Sequence, residues 1–140
     1  METVDLSGLD VVDRAQEGVD MVLLGPDSKP TNVVLRVRGG DSRAFKDKLN
    51  EQTRRGVDRG QRKVTEQERT SEFYELYATF VAGWFVNGKP VKVVFWKGGE
   101  ALEYTPANAA LLLEKQPYIF EQVRRFADRR ENFLPGPAAS

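Results

Sequence analysis

The side chains of this 140-residue chain that could do chemistry are its carboxylates. Asp and Glu together number 21, which formally allows a paired-carboxylate hydrolase or a metal site built from oxygen ligands. No dense acidic cluster with binding spacing occurs, and the Gly39-Gly40 and Gly98-Gly99 pairs lack the spacing of a dinucleotide fingerprint. The absence of His and Cys removes Ser–His and Cys–His nucleophiles, thiolate metal sites and disulfides. We therefore predict that the chain is not an enzyme and uses neither a metal nor a cofactor.

Basic side chains are concentrated in one stretch of a chain that is balanced overall. Residues 43–69 carry nine basic against five acidic side chains, whereas residues 1–29 carry two against seven. Such asymmetry can mark a nucleic-acid surface, or a solvated helical face partly neutralised by the acidic N-terminal segment. The nucleic-acid alternative would use Arg54, Arg55, Arg59, Arg62 and Lys63, with a second patch at Arg124, Arg125, Arg129 and Arg130. Because charge alone is a weak signal, we favour the solvated face and do not expect nucleic acid as the partner.

The elements that must position these side chains begin with a β-hairpin. Val19–Leu24 has the composition of a strand, a Gly-Pro-Asp-Ser turn follows, and residues 32–38 alternate between two faces, as a half-buried strand does. We predict an α+β fold, a mostly helical single domain over residues 1–134 with a flexible tail at 135–140. It has this N-terminal hairpin and a second small hairpin between helices.

Two helices are predicted after the first hairpin. Asp41 or Ser42 can cap the first, and the polar, glycine-containing segment 53–63 predicts a mobile connection or a frayed helix end. Thr65 and Glu68 form a capping box that should start a long core helix. Its apolar face would consist of Phe73, Leu76, Tyr77, Phe80, Val81 and Trp84.

The second half of the chain predicts the second hairpin and two more helices. Asn87-Gly88 is a tight-turn dipeptide, and residues 92–96 and 101–104 would pair across a glycine turn. Thr105-Pro106 is a helix start, and Pro117 opens a last helix that should end near Asn132. This last helix would bury Ile119, Phe120, Val123 and Phe126.

The order of these elements resembles a known family more than any single motif does. The series begins with an aromatic helix that ends in Gly83-Trp84, followed by a glycine-containing turn. It continues with Glu103-Tyr-Thr-Pro-Ala-Asn-Ala109, Leu111-Leu-Leu113, Gln116-Pro117, residues 119–123 and Arg130-Glu-Asn-Phe-Leu134. In this order it resembles the tail assembly chaperones of long-tailed bacteriophages and related prophages. The Gly40-Asp41-Ser42 turn after a hairpin with Pro26-Asp27-Ser28 is similar to the N-terminal part of these proteins.

The resemblance implies a binding protein of the host cytoplasm. Members of the family associate with the largely helical tape measure protein, keep it soluble while tube subunits assemble around it, and are generally absent from the finished virion. Many also occur as a longer frameshifted product that recruits the tail tube protein. No apolar run approaches the ~20 residues of a membrane span, so no membrane partner is expected. A structural tail or neck component is the alternative within the same virus.

Four apolar side chains are the candidate partner contacts, because they lie at or beyond the ends of the apolar patterns: Phe85, Trp96, Phe133 and Leu134. A chaperone for an elongated helical client needs adaptable apolar contacts that exclude water. Trp84 is assigned to the core instead. For all four candidates, ordinary local packing is an equally good interpretation, since single surface aromatics are common.

Overall fold

The computed structural model describes residues 1–60 and 62–135. Its α-helices are α1 (Val12–Glu17), α2 (Arg43–Arg59), α3 (Glu66–Ala78), α4 (Pro106–Lys115) and α5 (Pro117–Asp128). Its strands are β1 (Val19–Leu24), β2 (Pro30–Val37), β3 (Val81–Val86), β4 (Lys89–Pro90), β5 (Val93–Val94) and β6 (Ala101–Leu102). Short 3-10 helices lie at Ser7–Leu9, Pro26–Ser28 and Arg130–Phe133.

The strands form one four-stranded antiparallel sheet and one two-stranded sheet. The larger sheet has the order β1-β2-β3-β4, and β5 pairs with β6. This arrangement confirms the predicted α+β fold, with an N-terminal hairpin and a second small hairpin between helices. Asn87 and Gly88 both have positive φ, 51° and 76°, as a two-residue hairpin turn between β3 and β4 requires.

Side-chain caps fix the starts of three helices where the sequence predicts them. Ser42, and not Asp41, caps α2 by accepting a hydrogen bond from the Phe45 amide at 3.2 Å. Thr65 accepts from the Glu68 amide at 3.1 Å, and Thr105 accepts from the Asn108 amide at 3.0 Å. Each cap satisfies an amide that the first helical turn leaves without a partner, so local sequence sets where these helices begin.

The prediction that the core helix continues to Trp84 is wrong. α3 ends at Ala78, and residues 81–86 form β3, in which Trp84 lies opposite Leu35 of β2. The spacing of Phe80, Val81 and Trp84 fits a helical face, but pairing with β2 buries the same residues and satisfies the backbone as well. Long-range strand pairing therefore overrides the local helical pattern.

The segment 53–63 is more helical than its composition suggests. α2 continues through Arg59 and α3 begins at Glu66, so most of this segment is the end of a helix, as one of the two predicted alternatives has it, and not a connection between helices. At the other end of the chain, α5 stops at Asp128 and a 3-10 helix follows. The predicted tail at 135–140 lies outside the described residues except for Pro135.

The core lies between one face of the larger sheet and helices α3, α4 and α5. Trp84 is 1% exposed and meets Phe95 and Tyr104 edge-on, with ring centroids 5.7 and 5.3 Å away. The Tyr104 hydroxyl donates to the Val81 carbonyl oxygen at 2.8 Å, which fixes that ring against β3. Among the described helices, none has both the length and the apolar character needed to cross a membrane.

Candidate partner-binding site

The larger sheet has one face covered by helices and one face that is open. Met21, Leu35 and Trp84 are consecutive cross-strand partners, and all three are buried on the helix side. Since side chains alternate along a strand, the next residues point to the other side. There the cross-strand partners, which we call the outer row, are Val22, Val34, Phe85 and Pro90. Val22 in this row is 48% exposed.

Phe85 is held flat against the sheet at the centre of the outer row. Its ring covers Gly83, where an added Cβ would lie only 2.8 Å from a ring carbon. The Arg36 guanidinium lies over the Phe85 ring, 4.6 Å from the centroid, and its Nε lies 3.2 Å from Asp20 Oδ1. These contacts orient the aromatic ring before any partner arrives. Phe85 is thus both locally packed and part of an open surface.

Trp96 lies beside β5 in the second hairpin, away from the row. It is 44% exposed, whereas its neighbour Phe95 is buried in the core and anchors the hairpin. The indole ring rests on Gly99, where an added Cβ would lie 2.8 Å from its Cε2 and Nε1 atoms. Trp96 therefore presents an apolar ring to solvent from a fixed position.

Phe133 and Leu134 are placed differently from the other two candidates. Phe133 is 1% exposed and packs edge-on against Phe126, with centroids 5.9 Å apart. The Leu134 carbonyl oxygen accepts a hydrogen bond from Arg14 Nη1, and the residue is half-buried. Phe133 is therefore part of the core in this fold, and changing it would test folding and not partner contact.

Sequence reasoning missed Val22 and Val34 as members of an open surface. The alternation of residues 32–38 already placed Val34 opposite Val33 and Leu35, but the partner strand β3 was read as a helix. Without that strand, no row across the sheet could be drawn. Phe73 of α3 was also missed: it is 47% exposed and stacks on Phe120, with centroids 5.7 Å apart.

A cleft of about 800 Å³ lies at the free edge of β1, between that strand and α5. Met21, Val22 and Phe126 contribute apolar lining, and Arg125 and Arg129 contribute charge. The side-chain amide of Gln122 forms hydrogen bonds with both backbone groups of Leu24. Its Oε1 accepts from the Leu24 N–H at 2.8 Å, and its Nε2 donates to the Leu24 carbonyl oxygen at 3.0 Å. Gln122 thus takes the place of a neighbouring strand at this end of β1.

Cations of the basic segment face carboxylates. Arg55 and Arg59 both contact Glu72, and Arg62 lies 3.0 Å from Glu68. The hydrogen bond from Arg59 is the main cause that lowers the pKa of Glu72, and the hydrogen bond from Arg62 does the same for the pKa of Glu68. These pairs lower the positive potential that a nucleic-acid backbone would encounter. Arg54 and Lys63, the other two members of the nucleic-acid alternative, are exposed.

The family comparison places this chain among proteins of phage origin. Residues 41–136 match the model of the YdaY prophage protein family, and the chain belongs to that family. The match begins just before α2 and leaves out the β1–β2 hairpin, although β2 pairs with β3 in the same sheet. No curated protein and no solved structure matches the chain.

Proposed function

We propose that this prophage protein is a tail assembly chaperone that binds the tape measure protein and keeps it soluble in the host cytoplasm. It acts by binding and not by catalysis, and a longer frameshifted product recruits the tail tube protein. The observation that carries the proposal is the open face of the sheet, where an apolar outer row crosses all four strands. The family match supports a phage role, and the order of elements from Gly83 to Leu134 supports the chaperone assignment.

The outer row has the dimensions of a contact for a helix. Four neighbouring strands are separated by three intervals of ~4.8 Å, so the row extends over roughly 14 Å. A helix rises ~1.5 Å per residue, and about ten residues would therefore lie along this row. The tape measure protein is expected to be long and helical, which suits repeated contacts of this kind. In this proposal Trp96 and Leu134 provide further contacts at the margins.

Two exposed valines allow a matched test of the surface. Val22 lies in the outer row and is 48% exposed, whereas Val57 lies on α2 and is 74% exposed. We expect Val22→Asp to reduce the soluble fraction of co-expressed tape measure protein from the same prophage, because a carboxylate would have to be desolvated in the contact. Val57→Asp should leave that fraction unchanged. Sedimentation of cell lysates followed by quantitative immunoblotting measures both.

The control measurements separate loss of binding from loss of folding. Both variants should keep the wild-type circular dichroism, since neither valine is buried. Equal client solubility with wild type and Val22→Asp would contradict the outer row as the contact surface. No gain of solubility with wild-type protein would contradict the chaperone function itself.

A structural tail or neck component makes a different prediction for the same chain. Mass spectrometry of purified virions should detect such a component in fixed proportion to the tube protein. A chaperone should be missing from those particles while present in the lysate of the induced host. Detection in virions would therefore replace the proposed function with the structural alternative.

A further inference from the structure

The outer part of the α2–α3 hairpin has no apolar core of its own. We call residues 48–60 and 62–72 the distal arm. None of these residues is buried, although α2 alone is a helix of 17 residues. Leu49 and Val57, which could have formed an apolar contact, are 44% and 74% exposed. Packing therefore contributes little to holding these two helices together.

An ionic seam holds the distal arm instead. The side of α2 that faces α3 has the spacing of a two-helix seam, with residues three and four apart at Phe45, Lys48, Gln52, Arg55 and Arg59, and Arg62 follows just beyond the end of the helix. Only the first is apolar, and all the charged members are cations. Their partners on α3 are all anions: Lys48 lies 3.0 Å from Glu75, Arg55 lies 3.3 Å from Glu72, and Arg62 lies 3.0 Å from Glu68. Arg59 also contacts Glu72.

The two inner ends of the hairpin are fixed by a different kind of contact. At the start of α2, Ser42 is fully buried and the Phe45 ring stacks on Phe80, with centroids 4.9 Å apart. At the end of α3, Ala78 is buried and Tyr77 packs against Phe80 and Phe120. The apolar contacts thus stop where the ionic seam begins.

From this contrast between ion pairs and apolar contacts we infer that the distal arm opens as a separate unit. Salt weakens its ion pairs and opens it, while the rest of the chain stays folded. The Debye length is about 10 Å or less at physiological ionic strength and above, so dissolved salt weakens part-exposed ion pairs. Apolar burial is not weakened in this way. Opening frees both helical segments between Phe45 and Phe73. It turns a rigid hairpin into a flexible, strongly charged loop.

Hydrogen–deuterium exchange at two salt concentrations tests the inference on the intact protein. Between about 20 mM and 500 mM sodium chloride, amides of the distal arm should exchange about tenfold faster or more, as the ion pairs of the seam weaken together. Amides of β2 and β3 should keep their protection. An equal salt response in the sheet, or none in the arm, would overturn the inference.

A matched pair of glutamates on α3 provides a second, independent test. Glu72 contacts Arg55 and Arg59, whereas Glu66 on the same helix forms no ion pair within the described part of the chain. Glu72→Gln should reproduce fast exchange of the arm at low salt, and Glu66→Gln should behave as wild type. If Glu72→Gln also exposed the amides of β3, the arm would not be a separate unit and the inference would fail.

Discussion

In the body of the protein, Trp84 and Leu112 are each 2% exposed or less, whereas no residue of the 17-residue helix α2 is buried. The body therefore depends on apolar contacts between the sheet and helices α3, α4 and α5. The distal arm depends on ion pairs that water and salt can reach. The free energy of burial grows with apolar area, at roughly 25 cal/mol per Å², while an exposed ion pair contributes little. One chain thus combines a part that should unfold cooperatively with a part that should open by itself.

Removing the central ring of the body should have the largest effect. Trp84→Ala leaves a cavity beside Phe95 and Tyr104 and should lower the free energy of unfolding by about 3–5 kcal/mol in urea titrations. Trp96→Ala changes the same residue type at a 44% exposed position and should cost clearly less than Trp84→Ala, because part of its ring already faces water. Val57→Ala changes a 74% exposed side chain of the arm and should stay within about 0.5 kcal/mol of wild type. A comparable loss from either control would contradict the division between body and surface.

A methyl group added at Gly39, whose neighbours leave no room for a Cβ, should have the next largest effect on the free energy of unfolding. At Gly39 a Cβ would lie 2.9 Å from a ring carbon of Phe133 and 3.1 Å from the Cβ of Ala15. Both neighbours are buried, so they cannot move aside without disturbing the core. Gly39→Ala should therefore destabilise the protein by about 1–3 kcal/mol. Unchanged urea unfolding would show that Phe133 is not held as tightly as its packing indicates.

The sequence predicts the parts of this fold that depend on local chemistry. Thr65 and Thr105 cap helices because a threonine oxygen meets an amide three residues away, and Asn87-Gly88 turns because both residues adopt positive φ. The strand at 81–86 could not be predicted with the same certainty. Its pattern also fits a helix, and only the distant partner β2 decides between the two structures.

The candidate site was less predictable for the same reason. The sequence places Phe85 at the end of a core helix, but residues 81–86 form β3, and the row of Phe85 with Val22 and Val34 exists only once β3 joins the sheet. Phe133 was a candidate contact because it lies beyond the last apolar pattern, whereas Gly39, against which its ring packs, lies far earlier in the chain. Contacts between distant segments leave no mark in the local spacing of residues.

A methyl group added at a glycine of the distal arm should stabilise the arm, whereas the methyl group added at Gly39 should destabilise the protein. Gly56 lies inside α2, and no atom lies within 4 Å of the place where its Cβ would be. Gly56→Ala should therefore favour the closed, helical arm by about 0.5–1 kcal/mol, since alanine loses less backbone freedom in a helix. Slower hydrogen exchange of α2 amides at constant protection of β2 would show this. Faster exchange would mean that Gly56 is needed for the shape of the helix.

Acid should have the smallest effect on the body and a selective effect on the arm. Arg59 and Arg62 hold the pKa values of Glu72 and Glu68 below the ordinary value of 4.5. A carboxylate with a lowered pKa in the folded state stabilises that state above its unfolded pKa, and this contribution is lost as pH falls through the folded pKa. Helical circular dichroism should therefore decrease from about pH 4.5 downward, as the arm opens. The fluorescence emission of Trp84, followed in a Trp96→Phe background, should change only at lower pH.

Asp41 provides the control for this experiment. The hydrogen bond from Arg130 lowers the pKa of Asp41 and ties the start of α2 to the body, so an Asp41→Asn variant separates the titration of Asp41 from that of the arm. Loss of helix and of the Trp84 signal at one common pH would mean that the two regions unfold as a single unit.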